Sequence, residues 1–129
     1  MRRLFALLAA TLMLIVLAQF YFSASGVFGS YRPHHVLGYV IFSLPVVMAI
    51  VAGLGRLGAR PVWLSLLVAG LTSVQVLVAS LARGLGGPAG EYVFGLHAVG
   101  GLAILAVAWL ILREARKRRK VAQGGPAPE

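Results

Sequence analysis

The chain has 129 residues, 60% of them hydrophobic, and its mean hydropathy is +0.90. These values argue against a soluble globular domain and leave no room for a separate soluble catalytic domain. The formal net charge is +9. The sequence has no cysteine, and this absence excludes disulfides, thiolate chemistry and covalent c-type haem attachment.

Four uncharged stretches of about 20 residues predict helices that cross a membrane. They cover residues 4–23, 34–54, 62–81 and 92–112. We expect one membrane domain, residues 1–112, and a basic tail, residues 113–129, whose end is disordered. The predicted fold class is an all-α membrane protein, an antiparallel bundle of four transmembrane helices.

Basic residues are concentrated on one side of this topology. Ten of the twelve lie there: Arg2, Arg3, Arg56, Arg60, Arg113, Arg116, Lys117, Arg118, Arg119 and Lys120. The positive-inside rule makes this side cytoplasmic. We therefore expect a protein of a bacterial plasma membrane with both termini in the cytoplasm. The basic tail is expected to contact anionic lipid and not nucleic acid.

The first span has an alternative interpretation as a cleaved signal peptide, because Arg2 and Arg3 precede it and small residues follow. Its apolar run is long for a signal peptide and residues 19–22 are bulky, so a retained helix is favoured. Gln19 lies in the outer half of this span, and Gln75 lies at a comparable depth in the third. Such amides usually join helices by hydrogen bonds; alternatively, they face the same cavity as the histidines.

The second and fourth spans each begin with a His-x-x-x-Gly pattern, His34 with Gly38 and His97 with Gly101. Residues four apart share a helix face, so each glycine leaves an open surface beside an imidazole. Haem needs a ring nitrogen for its iron and space for the porphyrin. The competing interpretation of the glycines is close helix packing.

The pattern forms a repeat of two helices, glutamine in the first and histidine in the second. Because the unit is two helices long, both copies have the same orientation in the membrane. The repeats are thus parallel, unlike the inverted repeats of many transporters. This arrangement puts His34 and His97 on the same outer side, on helices that can face each other across the bundle.

Helix two, with His34-His35-Val36-Leu37-Gly38, resembles the His-Arg-x-x-Gly motif of the haem A synthase family, with His35 where that family has arginine. The stretches Gln75–Ala79 and Leu96-His97 resemble its third and fourth helices, and Ser25-Gly26 matches a Ser-Gly at the end of its first.

That family consists of two four-helix halves, each holding haem between histidines of its second and fourth helices, and this chain resembles one half. The resemblance implies axial-ligand roles for His34 and His97. An acidic residue that the family carries shortly before the helix-two histidine is absent, because Ser30 and Tyr31 occupy that region. The chain also resembles small four-span bacterial membrane proteins of unassigned function.

The sequence therefore predicts a non-covalent haem b held by His34 and His97, with Arg32, His35 and Arg83 near its propionates. Two imidazoles leave the iron no open position, which favours electron transfer over independent catalysis; an enzyme of this kind would be a membrane oxidoreductase. The expected partners are the lipid bilayer and a quinol or another membrane redox partner, and a homodimer is left open. The alternatives are a cofactor-free structural or assembly protein and a small transporter.

Overall fold

A computed structural model describes residues 1–122, with side chains as far as Lys117. It contains four α-helices: α1 Arg2–Gly26, α2 Arg32–Leu54, α3 Ala59–Leu85 and α4 Gly87–Ala122. All four are long and apolar enough to cross a membrane, which confirms the predicted all-α, four-helix architecture. The tail end expected to be disordered, residues 123–129, lies outside the described residues.

Each helix packs against two others, in the order α1, α2, α3, α4 and back to α1. Within the described residues, the diagonal pairs α1 with α3 and α2 with α4 make no close backbone contact. The bundle is thus a simple antiparallel one with short connections. We call the end that holds the α1–α2 and α3–α4 connections the histidine end, and the other, with the N-terminus and the α2–α3 connection, the terminal end.

The turn between α3 and α4 is very tight. Gly86 alone separates the two helices, and Gly86 and Gly87 have φ angles of +62° and +50°, a backbone region that glycine occupies at low cost. A Cβ atom at Gly90 would lie 2.5 Å from the carbonyl oxygen of Ala82. Glycine at this position therefore lets the start of α4 approach the end of α3.

The hydrophobic core lies toward the terminal end. All four helices contribute large, fully buried apolar side chains to it. These are Phe5 and Leu12 of α1, Met48 of α2, Val68 of α3 and Ile111 of α4. By contrast, none of residues 32–40 in α2 and none of residues 91–103 in α4 is buried. α2 and α4 are therefore more exposed toward the histidine end than toward the terminal end.

α4 continues well beyond the length that a membrane requires. Its 36 residues correspond to about 54 Å, compared with about 30 Å of hydrocarbon. Near its C-terminal part Leu112 and Ala115 are still buried in the core cluster, together with Leu57 of the α2–α3 connection. The predicted basic tail therefore begins as a direct extension of α4, packed against the terminal end.

Candidate functional site

His34 and His97 meet across the diagonal of the bundle. Their ring centroids are 6.2 Å apart and their ring planes are inclined by 52°. They lie on α2 and α4, whose backbones make no close contact within the described chain, so the two imidazoles themselves reach into the space between these helices. Both side chains are half-buried.

Each histidine contacts a glutamine of a neighbouring helix in the same way. The Nδ1 atom of His34 lies 3.4 Å from the main-chain oxygen of Gln19 on α1, and that of His97 lies 3.2 Å from the main-chain oxygen of Gln75 on α3. A carbonyl oxygen only accepts, so Nδ1 must carry the proton in both bonds. This tautomer leaves each Nε2 atom with a free lone pair, the arrangement that orients metal-binding histidines.

The two glutamine side chains differ in their partners. The Nε2 atom of Gln75 donates to the main-chain oxygen of His97 at 2.6 Å, so Gln75 and His97 form a reciprocal pair. The Oε1 atom of Gln19 is buried and has no hydrogen-bond partner in the described part of the chain. The buried hydroxyls of Ser65 and Thr72 are satisfied within α3, by the Pro61 and Val68 oxygens, each at 2.8 Å. Gln19 is thus the exception among the buried polar groups of the described residues.

The glycines of the motif lie against these same glutamines. A Cβ atom at Gly38 would lie 3.7 Å from Nε2 of Gln19, an ordinary contact, whereas one at Gly100 would overlap the amide of Gln75, 2.8 Å from its Cδ atom. At Gly101 the nearest atom is Cζ of Phe20, 3.4 Å away. The glycines therefore make room for side chains of the neighbouring helices in both halves. A porphyrin beside Gly101 requires the partly exposed Phe20 ring to turn away.

The remaining predicted site residues lie at the periphery. His35 is exposed, with its ring centroid 6.0 Å from that of His34. Arg32 is two residues before His34 and so projects from a different side of α2. Arg83 donates from Nη2 to Oγ of Ser80 at 3.3 Å on its own helix. Among the described residues neither arginine hydrogen-bonds to a histidine, and their role toward propionates stays a prediction.

Sequence reasoning missed Phe94, whose ring stacks on that of His97. The centroids are 5.2 Å apart and the planes are nearly parallel, at 6°. Phe94 is three residues before His97, a spacing that places both side chains on one face of α4. That spacing was a usable signal. Phe94 and the Gln75 carbonyl together limit the orientations that the His97 ring can adopt.

The histidine pair offers two imidazole nitrogens as ligands. Across the described residues, no group of three or more histidine, cysteine, aspartate or glutamate side chains converges to hold a metal ion. Protein-held zinc takes three or four such ligands, whereas haem iron needs only one or two axial ones.

The spacing of the two rings also fits haem. Two nitrogen–metal bonds of about 2 Å, with about 1.1 Å from each nitrogen to its ring centre, put opposed imidazole centroids about 6.3 Å apart. The distance between His34 and His97 is 6.2 Å. The two ring centres therefore lie about as far apart as those of two imidazoles opposed across one metal ion.

The comparisons with known proteins identify one match. Residues 19–82 are similar to a family of unknown function, DUF6220. The matched stretch begins at Gln19 and includes His34, Gly38 and Gln75, but ends before His97. No curated protein and no solved structure matches the chain.

Proposed function

We propose that the four helices cross the plasma membrane of a bacterium with both termini in the cytoplasm. The distribution of basic residues supports this orientation: the terminal end carries Arg2, Arg56, Arg60 and the basic segment that begins at Arg113, whereas the histidine end carries only Arg32 and Arg83. The positive-inside rule then places the terminal end in the cytoplasm. His34 and His97 consequently lie toward the outer face.

Within this membrane domain the chain binds one haem b non-covalently, with His34 and His97 as its axial ligands. The observation that carries this proposal is the 6.2 Å separation of the two rings across the bundle. Both Nδ1 atoms are engaged by glutamine carbonyls, which leaves both Nε2 atoms for a metal. The similarity of the second and fourth helices to those of the haem A synthase family is in line with these roles.

When bound, haem supplies one-electron redox chemistry. The residues of the chain would hold it from both sides, which leaves no coordination position for oxygen and favours electron transfer. Hydrogen bonds from Nδ1 to the carbonyls of Gln19 and Gln75 make the Nε2 atoms more basic, and thus better ligands for iron. These bonds also fix the orientation of the rings. The electron partner that we propose is a quinol or another membrane redox partner, which can reach the site through the lipid.

A second candidate function is favoured by the reciprocal bonds between Gln75 and His97. In a cofactor-free structural protein these bonds would serve to join α3 to α4, and the glycines would serve only to admit the glutamine side chains. This interpretation accounts for Gly100 and Gln75. It gives no reason for His34 and His97 to approach each other across the diagonal, and so we favour the haem-binding function.

The test is the haem content of purified protein after supplementation with haem. The parent should bind about one haem per chain with a low-spin spectrum and sharp bands on reduction. His34→Ala and His97→Ala should each lose the haem or convert it to high spin, whereas His35→Ala, the matched control on the exposed neighbour, should retain a low-spin site. A parent protein that binds no haem would contradict the proposal and leave the structural function.

A further inference from the structure

The aromatic ring of Phe20 on α1 lies against Gly101 of α4. A Cβ atom at Gly101 would have as its nearest neighbours Cζ of Phe20 at 3.4 Å and Cε1 of the same ring at 3.6 Å. Gly101 is four residues after His97, so the two residues share one face of α4. The Phe20 ring therefore covers the surface beside the His97 imidazole over which a porphyrin would lie.

The corresponding surface of α2 is not covered by an aromatic ring. In the repeat, Gly38 corresponds to Gly101 and Val76 corresponds to Phe20, since Val76 and Phe20 each directly follow a glutamine. Among the described residues of the other helices, a Cβ atom at Gly38 would have only Nε2 of Gln19 within 4 Å, and no atom of Val76. The Val76 side chain is 64% exposed. The two halves of the site thus differ, because α2 leaves its surface open and α4 has it covered.

Phe20 can turn outward without disturbing the core. Its side chain is 38% exposed and does not belong to the core cluster. The buried members of that cluster on α1 all lie nearer the terminal end: Phe5, Ala9, Leu12 and Val16. An aromatic side chain in a helix has two common χ1 angles, near 180° and near −60°. A change between them moves the ring around the helix while the backbone stays in place, and so can uncover Gly101.

We propose that Phe20 and the porphyrin compete for the surface over Gly101, so that Phe20 controls whether His97 can bind the haem iron. This inference rests on the proposed haem-binding function. His34, on the open side, binds the iron first, and His97 binds it once Phe20 has turned outward. A ligand that needs one conformation has its apparent affinity reduced by the fraction of molecules in that conformation. Phe20 is thus a positioning residue that sets the apparent affinity for haem.

The contact itself can be tested in protein purified without haem. Fluorine NMR of the full chain in detergent, with 4-fluorophenylalanine at position 20, reports the surroundings of this ring. Gly101→Ala adds a methyl group 3.4 Å from Cζ of Phe20 and should shift the resonance. Gly38→Ala, the matched control in the other half, should leave it in place. An unchanged resonance in Gly101→Ala, or equal shifts in the two variants, would overturn the proposal.

Haem titration of the full chain in detergent tests the competition. Phe20→Ala should tighten the apparent affinity by about tenfold or more, since a minor conformation is typically populated at about 10% or less. Low-spin haem should also form faster in this variant. Val76→Ala, the matched control on α3, should stay within about twofold of the parent, because substitutions of exposed residues have small effects. Phe20→Trp places a larger ring over Gly101 and should weaken haem binding.

Unchanged or weaker haem binding by Phe20→Ala would overturn the proposal, because the ring would then be indifferent to the haem or support it. Equal tightening by Phe20→Ala and Val76→Ala would also overturn it, as would tighter binding by Phe20→Trp. A parent that binds no haem would overturn the proposed function and this inference with it. A parent that binds haem with the same affinity as Phe20→Ala would overturn the inference alone.

Discussion

Gln75 and His97 are joined by two hydrogen bonds that run in opposite directions between α3 and α4. The side chain of each residue bonds to the main-chain oxygen of the other, at 2.6 Å from Nε2 of Gln75 and 3.2 Å from Nδ1 of His97. In the other half of the bundle, His34 makes the equivalent bond to Gln19 at 3.4 Å, but the Oε1 atom of Gln19 has no partner among the described residues. The two halves of the repeat therefore place their glutamine and histidine in the same way. The α3–α4 half forms both hydrogen bonds, whereas the α1–α2 half forms one.

This inequality predicts opposite outcomes for the same substitution in the two halves. Gln75→Leu removes a donor to the His97 oxygen and should lower the free energy of unfolding by about 0.5–1.5 kcal/mol. Gln19→Leu removes an unpaired buried oxygen and should be neutral or stabilising. Thermal unfolding of both variants in the same detergent without haem measures the difference. Equal destabilisation by the two substitutions would contradict the assignment of partners.

The glycines provide a second matched pair. Gly100→Ala places a methyl group into the Gln75 amide and should destabilise the protein by about 1–3 kcal/mol through overpacking. Gly38→Ala meets only an ordinary contact with Gln19 and should stabilise the helix by up to about 0.5–1 kcal/mol. Unfolding temperatures measured side by side test this. A stabilising Gly100→Ala would mean that the Gln75 amide can move aside and that its bond to the His97 oxygen contributes little.

Orientation in the membrane can be tested cleanly because the chain has no native cysteine. We expect a cysteine at Ala89, near the α3–α4 turn, to react with an impermeant thiol reagent in intact cells. A cysteine at Ala59, in the exposed first turn of α3, is the control and should react only after permeabilisation. The reverse pattern would put His34 and His97 toward the cytoplasm.

The sequence was sufficient to predict the four helices and the approach of His34 to His97, because uncharged runs of membrane length and a repeated His-x-x-x-Gly pattern are read directly from the residues. The detailed contacts of the site were not predictable in the same way. They depend on how far each helix is rotated about its own axis, and a span that is apolar on all sides encodes this rotation weakly.

Three contacts illustrate that limit. The histidine rings bond to the main-chain oxygens of Gln19 and Gln75, and of the two glutamine side chains Gln75 bonds back to its histidine, at the main-chain oxygen of His97. Gly100, one residue before the glycine of the motif, makes the tight contact with Gln75. Phe94 stacks on His97, a contact that the three-residue spacing permits but does not require.

Phe94 gives a further prediction about the orientation of the His97 ring. Phe94→Ala should leave haem binding intact but permit the imidazole to rotate, which changes the anisotropy of the ferric low-spin signal in electron paramagnetic resonance. Phe94→Tyr retains the aromatic ring and is the control. An unchanged signal in Phe94→Ala would show that the Gln75 carbonyl alone fixes the ring.

His34 and His97 are proposed to hold one haem iron between them. Near-infrared magnetic circular dichroism of the ferric, haem-loaded protein tests this most directly, because its charge-transfer band differs between two imidazole ligands and an imidazole with a thioether. The parent should show the band of two imidazoles, and His34→Met should shift it to that of histidine with methionine. A parent spectrum with a single imidazole ligand, or a band that does not move in His34→Met, would show that His34 is not an axial ligand.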